Sequence, residues 1–344
     1  MRGIYTAAYL SGLSEAFAIK RSLPVLDVGT AFDLIAGTST GAIIACALAA
    51  GVPLGEVIQL YRRHGKEIFP RKLPGSFGLN LLLDFLYRRK ALREGEQALR
   101  KALQDCFGGA TIGSVYAARK IALAIPAVDM STHKGGVFKT PHLANSSHRD
   151  DNYTLVEVCL ATTAAPLFRA LAVVDQPGGV GTRSMFADGG LWANNPVLVG
   201  LIDALEMAAP GQCLEIFCLG TCSPPAGDDV SRLRRDRGLL DWKFGGEAAK
   251  LAVDAQEYAY DQMARMFSRH LDRQCDVIRF PREHVPAALM KYLDLDESSH
   301  EAADALAARA LADAQITNGR CGDPRDREGQ IVSRLFNEMP ARGV

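Results

Sequence analysis

Ser39, in Gly37-Thr38-Ser39-Thr40-Gly41, is the residue of this sequence best framed for chemistry. The five residues separate Phe32-Asp33-Leu34-Ile35-Ala36, apolar and of strand length, from the uncharged, helix-favouring run Ala42 to Ala50. A serine on a sharp strand-to-helix turn is held in a strained backbone conformation. Small neighbours relieve the crowding, and the hydroxyl is left exposed at the helix start, where the dipole favours negative charge. That arrangement presents a nucleophile. No Gly-Lys-Ser/Thr follows, so the turn is not a phosphate loop, and no dinucleotide fingerprint follows a strand here.

A serine hydroxyl attacks only when a base takes its proton. Histidine is the familiar base, and the chain has seven: His64, His133, His142, His148, His270, His284 and His300. In α/β-hydrolases the histidine comes last along the chain, a place that His270, His284 or His300 fills by order, but none is framed by a motif. Asp188 is better framed, in Phe186-Ala187-Asp188-Gly189-Gly190-Leu191-Trp192-Ala193-Asn194-Asn195-Pro196. A strand-like approach meets a Gly-Gly turn, which holds a carboxylate at a strand end. Such a carboxylate accepts a serine proton when it is bonded to the hydroxyl and desolvated enough for its pKa to rise.

The elements around these motifs read as an α/β protein. Ile4 to Ile19 keeps a helical rhythm. Arg88 to Leu103 is an amphipathic surface helix, and Ala248 to Leu271 and Ala302 to Gln315 are further helices. Lys120 to Asp129 and Glu215 to Thr221 are near-continuous apolar runs of strand type, which predict a three-layer α/β/α fold with a mostly parallel central sheet. Gly178-Gly179-Val180-Gly181 and Pro224 to Asp229 read as surface loops. No repeat or linker divides the 344 residues, so one domain is expected, with a catalytic core over about 1–220 and a helical part over about 221–344.

Composition excludes several classes. Lys+Arg and Asp+Glu are both 39, so nothing suggests a protein held on nucleic acid by charge. The eight cysteines are scattered and several sit inside apolar runs, as in Val158-Cys159-Leu160. They read as buried apolar residues of a reducing compartment rather than as a disulfide framework or a zinc site. The longest apolar run, Ala42 to Ala50, is too short to span a bilayer. Ser11, Gly12, Ser14 and Glu15 interrupt the one stretch that a signal peptide would need. A cytoplasmic protein without metal or cofactor is the expectation.

The two motifs together, with Ala193-Asn194-Asn195-Pro196 and the alanine-rich Ala161-Thr162-Thr163-Ala164-Ala165-Pro166-Leu167-Phe168 between them, resemble the patatin-like phospholipases. With the Tyr61 to Phe69 segment, the resemblance covers most of residues 1 to 220. It implies hydrolysis of acyl esters by a Ser39–Asp188 dyad through an acyl-enzyme, with no catalytic histidine. It also implies support of the turn by Gly37, Thr38, Thr40 and Gly41, and of the carboxylate by Gly189 and Gly190. Asn194, Asn195 and Pro196 would shape the turn after the strand. The family's oxyanion loop has the form Gly-Gly-Gly-x-Arg-Gly after a first strand, and Arg2-Gly3 matches its tail. The start is therefore expected to be internal to a longer protein, with that strand and its glycines upstream.

Val137-Phe138-Lys139-Thr140-Pro141-His142, Gly220 to Pro225 and Gly238 to Gly245 resemble segments of a bacterial subgroup of that family. Its members are phospholipases switched on by cyclic GMP-AMP in anti-phage defence. The resemblance implies a cyclic dinucleotide activator and a substrate met at the inner face of the membrane. Arg232, Arg234, Arg235 and Arg237 form a basic cluster suited to phosphates, or a solvated charge run. Two other readings stay open. One is a signal-binding module that keeps the fold without an oxyanion loop; the other is a histidine-dependent esterase.

Overall fold

From its start the chain forms α1 (Gly3–Lys20), β1 (Leu34–Ala36), α2 (Thr40–Ala50), α3 (Leu54–Ile68), α4 (Leu79–Phe107) and α5 (Ile112–Arg119). There follow β2 (Ala122–Asp129), β3 (Lys134–Lys139), α6 (Leu155–Thr162), β4 (Ala172–Asp175), β5 (Arg183–Asp188), α7 (Gly190–Ala193), α8 (Val197–Met207) and β6 (Leu214–Leu219). The chain closes with α9 (Gly246–Ser268), β7 (Cys275–Phe280), α10 (His300–Arg320) and α11 (Arg327–Glu338). This computed structural model describes residues 2–72, 79–175, 183–223, 227, 235–238, 241–242, 245–294 and 296–343, with only the backbone for 79–86. Local chemistry sets several helix ends. Thr111 with Ser114 and Thr154 with Glu157 form reciprocal capping boxes on α5 and α6, and Gly51 ends α2 in the left-handed region.

The sheet is organised around β2. One edge of β2 is taken by β3, antiparallel, along Ala124–Asp129. The other edge is shared: β1 pairs in parallel with Ala122–Ala124, and β5 pairs antiparallel with Ala127–Asp129. β1 and β5 thus run toward each other along a single edge and stop with only Ile125 and Pro126 between their last partners. β4 pairs antiparallel with β5, and β6 with β7 form a separate parallel pair.

The sheet is therefore mixed, where long apolar strands had suggested a mostly parallel one. The burial of β2 on both faces follows from helices above and below it, whichever way its neighbours run. The short turn from β2 to β3 cannot carry a crossover, so that pair is antiparallel.

Side-chain alternation sorts the two helical layers. Leu34, Ala36 and Ala124 pack with Val199 of α8 and Tyr260 of α9 on one face. Ile35, Leu123, Ile125 and Ala127 join the main core on the other, with α1 and α2. The C-terminal part is built into that same core: Tyr5 donates to the buried carboxylate of Asp313 on α10 at 2.6 Å, and Tyr9 donates to Thr317 at 2.7 Å. The buried Asp203 of α8 accepts from Lys139 at 2.5 Å and lies 3.4 Å from His142, tying the end of β3 to the α8 layer. Gly178–Gly181 lies outside the described residues, as does Pro224–Asp229 apart from Gly227.

Where β5 ends, backbone meets backbone. A Cβ on Gly189 would stand 2.2 Å from the Pro126 carbonyl oxygen, a distance at which the strand end must move. Gly189→Ala is expected to lower stability by about 2–4 kcal/mol, as overpacking against backbone does. Chemical denaturation followed by circular dichroism measures it; an unchanged midpoint would mean that this approach is looser than described.

Candidate active site

The elbow is built as the motif requires. Ser39 sits between β1 and α2 at φ 53° and ψ −126°, a region costing roughly 1–3 kcal/mol for a side chain other than glycine. Gly37 is indispensable, because its Cβ would lie 2.6 Å from the Gly41 carbonyl oxygen. Gly41 differs: a Cβ there meets nothing within 4 Å, so its smallness is not what relieves the turn. Thr38 donates to the Ala193 carbonyl at 2.6 Å, pinning the elbow to α7 just beyond Asp188.

The convergence of β1 and β5 brings the two motifs together. The Ser39 hydroxyl donates to Asp188 Oδ2 at 2.7 Å, and the Gly190 amide donates to the other oxygen, Oδ1, at 2.7 Å. Asp188 is 6% exposed. Burial pushes its carboxyl up to about 6, while the Gly190 amide, the Ser39 hydroxyl and the Arg169 charge pull it back down. A carboxylate at that value is ionised at neutral pH yet basic enough to accept a proton.

Thr162 and Arg169 complete the site and had no motif of their own. The Ser39 amide donates to the Thr162 hydroxyl at 3.0 Å, which donates in turn to the Pro126 carbonyl at 2.6 Å. The Gly189 amide donates to the Thr162 carbonyl at 3.3 Å, and the Asp188 amide to that of Ala164 at 3.0 Å. The end of α6 and the residues just after it therefore brace both strand ends. Arg169, buried at its far end, faces Phe69 at 5.9 Å, and burial draws its guanidinium down to about 10 against the opposing charges of Glu96 and Asp188. The alanine-rich run marked this segment, but only the fold shows that Thr162 touches both halves.

Arg2 and Gly3 arrive from a third direction. A Cβ on Gly3 would meet the Tyr61 hydroxyl at 2.6 Å and Thr40 Cβ at 3.1 Å, so the start of α1 is pressed against the elbow. Arg2 donates to Ser223 at 2.8 Å; its burial lowers the guanidinium pKa, opposed by Glu257 and Asp254. Asn194 donates to Glu257 at 2.8 Å, and Asn195 Oδ1 accepts the Val197 amide at 3.2 Å, so both shape the turn into α8. None of the histidines bonds to Ser39 or Asp188. His270, His284 and His300 are exposed, and His142 is committed to Thr140 and Asp203.

Of the basic cluster, Arg232 and Arg234 fall outside the described residues, while Arg237 lies over the Trp242 ring at 4.3 Å. Among the described residues no histidine, cysteine and carboxylate group has the arrangement of a metal site, and no helix is long and apolar enough to cross a membrane.

The family model for patatin-like phospholipases matches residues 1–201. This chain belongs to that family. Among its relatives, a cGAMP-activated phospholipase of Pseudomonas aeruginosa is 36% identical over 77% of this chain and 71% of its own. A Vibrio cholerae protein of the same description is 31% identical over 93% and 89%, and an Escherichia coli one 28% over 93% and 88%. The matched residues include both Ser39 and Asp188.

Two variants test the brace and the charge. Thr162→Val keeps the shape but strands the Ser39 amide and the Pro126 carbonyl, at about 1–3 kcal/mol; it should lose ester hydrolysis that Thr162→Ser retains. Arg169→Met removes the cation that restrains Asp188, so the acid limb of the pH–rate profile should move to higher pH. A limb that stays in place would detach Arg169 from the base.

Proposed function

We propose that this chain is a serine–aspartate acyl hydrolase that cleaves acyl esters of phospholipids. The observation that carries the reading is the 2.7 Å contact from the Ser39 hydroxyl to a buried, basic carboxylate, with no histidine in reach. As Oγ attacks the ester carbonyl carbon, its proton passes to Asp188 Oδ2. The carbon–oxygen bond to the glycerol backbone then breaks, and the leaving alkoxide takes that proton. In the second half Asp188 accepts a proton from the water that attacks the acyl-enzyme and returns it to Ser39 as the fatty acid leaves.

Negative charge on the former carbonyl oxygen develops at the N-terminus of α2. The Thr40 amide, directly after the nucleophile, is one of the helix-start donors with no intrahelical partner. The α2 dipole adds to it.

Activation by a cyclic dinucleotide is the finer reading, with contact at the inner face of the membrane. It is supported by the descriptions of the Pseudomonas, Vibrio and Escherichia relatives. The test is release of fatty acid from phosphatidylglycerol–phosphatidylethanolamine vesicles, with and without cyclic GMP-AMP. Ser39→Ala and Asp188→Asn should each abolish it, by about 10³-fold or more. Replacement of His270, His284 or His300 should leave it intact. The rate should fall as pH drops through about 6, where Asp188 takes up a proton and no longer accepts one from Ser39. Hydrolysis that survives Asp188→Asn but not loss of a histidine would overturn the dyad.

A further inference from the structure

α7 carries a contact to each half of the dyad. Its first amide, from Gly190, bonds to Asp188 Oδ1 at 2.7 Å, and its last carbonyl, from Ala193, accepts from Thr38 of the elbow at 2.6 Å. Trp192 anchors it to β2 through the Ala127 carbonyl at 3.0 Å. A helix of a single turn is marginal by itself, so its partners decide where Gly190 stands. On the side away from the sheet those partners come from α9. The Asn194 amide donates to Gln256 Oε1 at 3.1 Å, and the Asn194 side chain donates through Nδ2 to Glu257 Oε2 at 2.8 Å. Asn195 adds a longer bond, 3.4 Å, to the Glu257 carbonyl. The other end of the Asn194 carboxamide is pressed against Gly190: a Cβ there would stand 3.2 Å from Asn194 Oδ1 and 3.0 Å from Asp188 Oδ1. One carboxamide therefore reaches from Glu257 to the residue whose amide holds the base.

α9 lies beyond the residues that the family model matches, and it has little apolar footing. Among its described residues Ala264 alone is buried, while Leu251, Tyr258 and Met266 are exposed. Polar contacts make up for this. Asp261 pairs with Arg279 of β7, and Gln256 and Glu257 grip the turn after α7. A bond to a carboxylate is the stronger kind, and Glu257 is half-buried, where water competes less for it. Besides Asn194, Glu257 faces the guanidinium groups of Arg2 and Arg279, and Asp254 shares Arg2 with it.

The structure assigns Glu257 as a positioning residue for the dyad, acting on Asp188 through Asn194 and Gly190. Its effect on the rate rests on the acyl-transfer reading above; its effect on Asp188 rests on the contacts alone. With Asn194 held, the Gly190 amide keeps its bond to Oδ1, which favours the ionised carboxylate and leaves Oδ2 turned to Ser39. With Asn194 released, that amide drifts and the carboxylate loses a partner that stabilised its charge. Of the groups that lower the Asp188 carboxyl pKa, the Ser39 hydroxyl and the Arg169 charge then remain, so the carboxyl titrates at higher pH. A different role for Glu257, as the charge opposite the buried Arg2, needs the negative charge rather than the bond. Glu257→Gln separates the two, because it keeps an acceptor for Asn194 and removes the charge.

Glu257→Ala, Glu257→Gln, Asn194→Ala and the pair Glu257→Ala with Asn194→Ala are compared in the whole chain, each checked by circular dichroism for native folding. The Asp188 carboxyl is followed by NMR titration with isotope-labelled aspartate, its signal assigned by its loss in Asp188→Asn; this readout needs no hydrolysis. Asp188 should titrate at about 6 in the unaltered chain and in Glu257→Gln, and at higher pH in Glu257→Ala and Asn194→Ala. In the vesicle assay with cyclic GMP-AMP, kcat should fall by about tenfold in both alanine variants with KM little changed. The pair should cost no more than either change alone, as for residues that act through one bond. A glutamine variant that behaves as the alanine one would assign Glu257 to Arg2 and overturn the proposal. So would an Asp188 titration that Glu257→Ala leaves in place, or effects of the two alanine changes that add. A titration that moves as expected, with no hydrolysis in any form including the unaltered chain, upholds the positioning and counts against the hydrolase reading instead.

Discussion

Everything at this site depends on two strands meeting head to head along one edge of a third. β1 runs with β2 and β5 against it, and each stops where the other would begin. A strand end is the one place in a sheet where a side chain can stand clear of the ladder, and here two such ends face each other. Ser39 and Asp188 are 149 residues apart in sequence, yet neither needs a long or flexible arm to reach the other. The strained turn at Ser39 and the close backbone approach at Gly189 are what that meeting costs. The Thr162 segment, bonded to both ends and to β2 between them, holds the arrangement in place.

In the proposed reaction, burial does the chemistry that a histidine would otherwise do. An exposed aspartate is too weak a base for a serine hydroxyl, but desolvation raises the carboxyl toward neutrality. The opposing influences of the Gly190 amide and the Arg169 guanidinium keep it ionised.

Much of this was legible in the residues. The Ser39 elbow, the strand ending at Asp188 and most of the long helices follow from local patterns, because turn chemistry and periodicity are local. The partnership of Ser39 with Asp188 rested on two motifs whose meeting only the sheet could show. Thr162 was hidden in an alanine-rich run, since a threonine bonded to backbone on two other segments has no signature of its own. Arg169 was invisible for the same reason. The mixed sheet escaped because two-sided burial produces the same apolar run whether neighbours run parallel or antiparallel.

Pro126 shows how closely the backbone is fitted to the chemistry. Proline is unusual in the middle of a central strand, because it leaves a ladder position without a donor. In β2 the even-numbered residues turn their polar groups toward the β1–β5 edge, and Pro126 falls opposite the gap between those strands, where no ladder partner stands. Its carbonyl still serves, accepting from Thr162. Any other residue there would aim an amide hydrogen into the gap between the strand ends, with no ladder carbonyl opposite it. The proline spares the strand an unpaired amide at the one ladder position that the meeting of β1 and β5 leaves open.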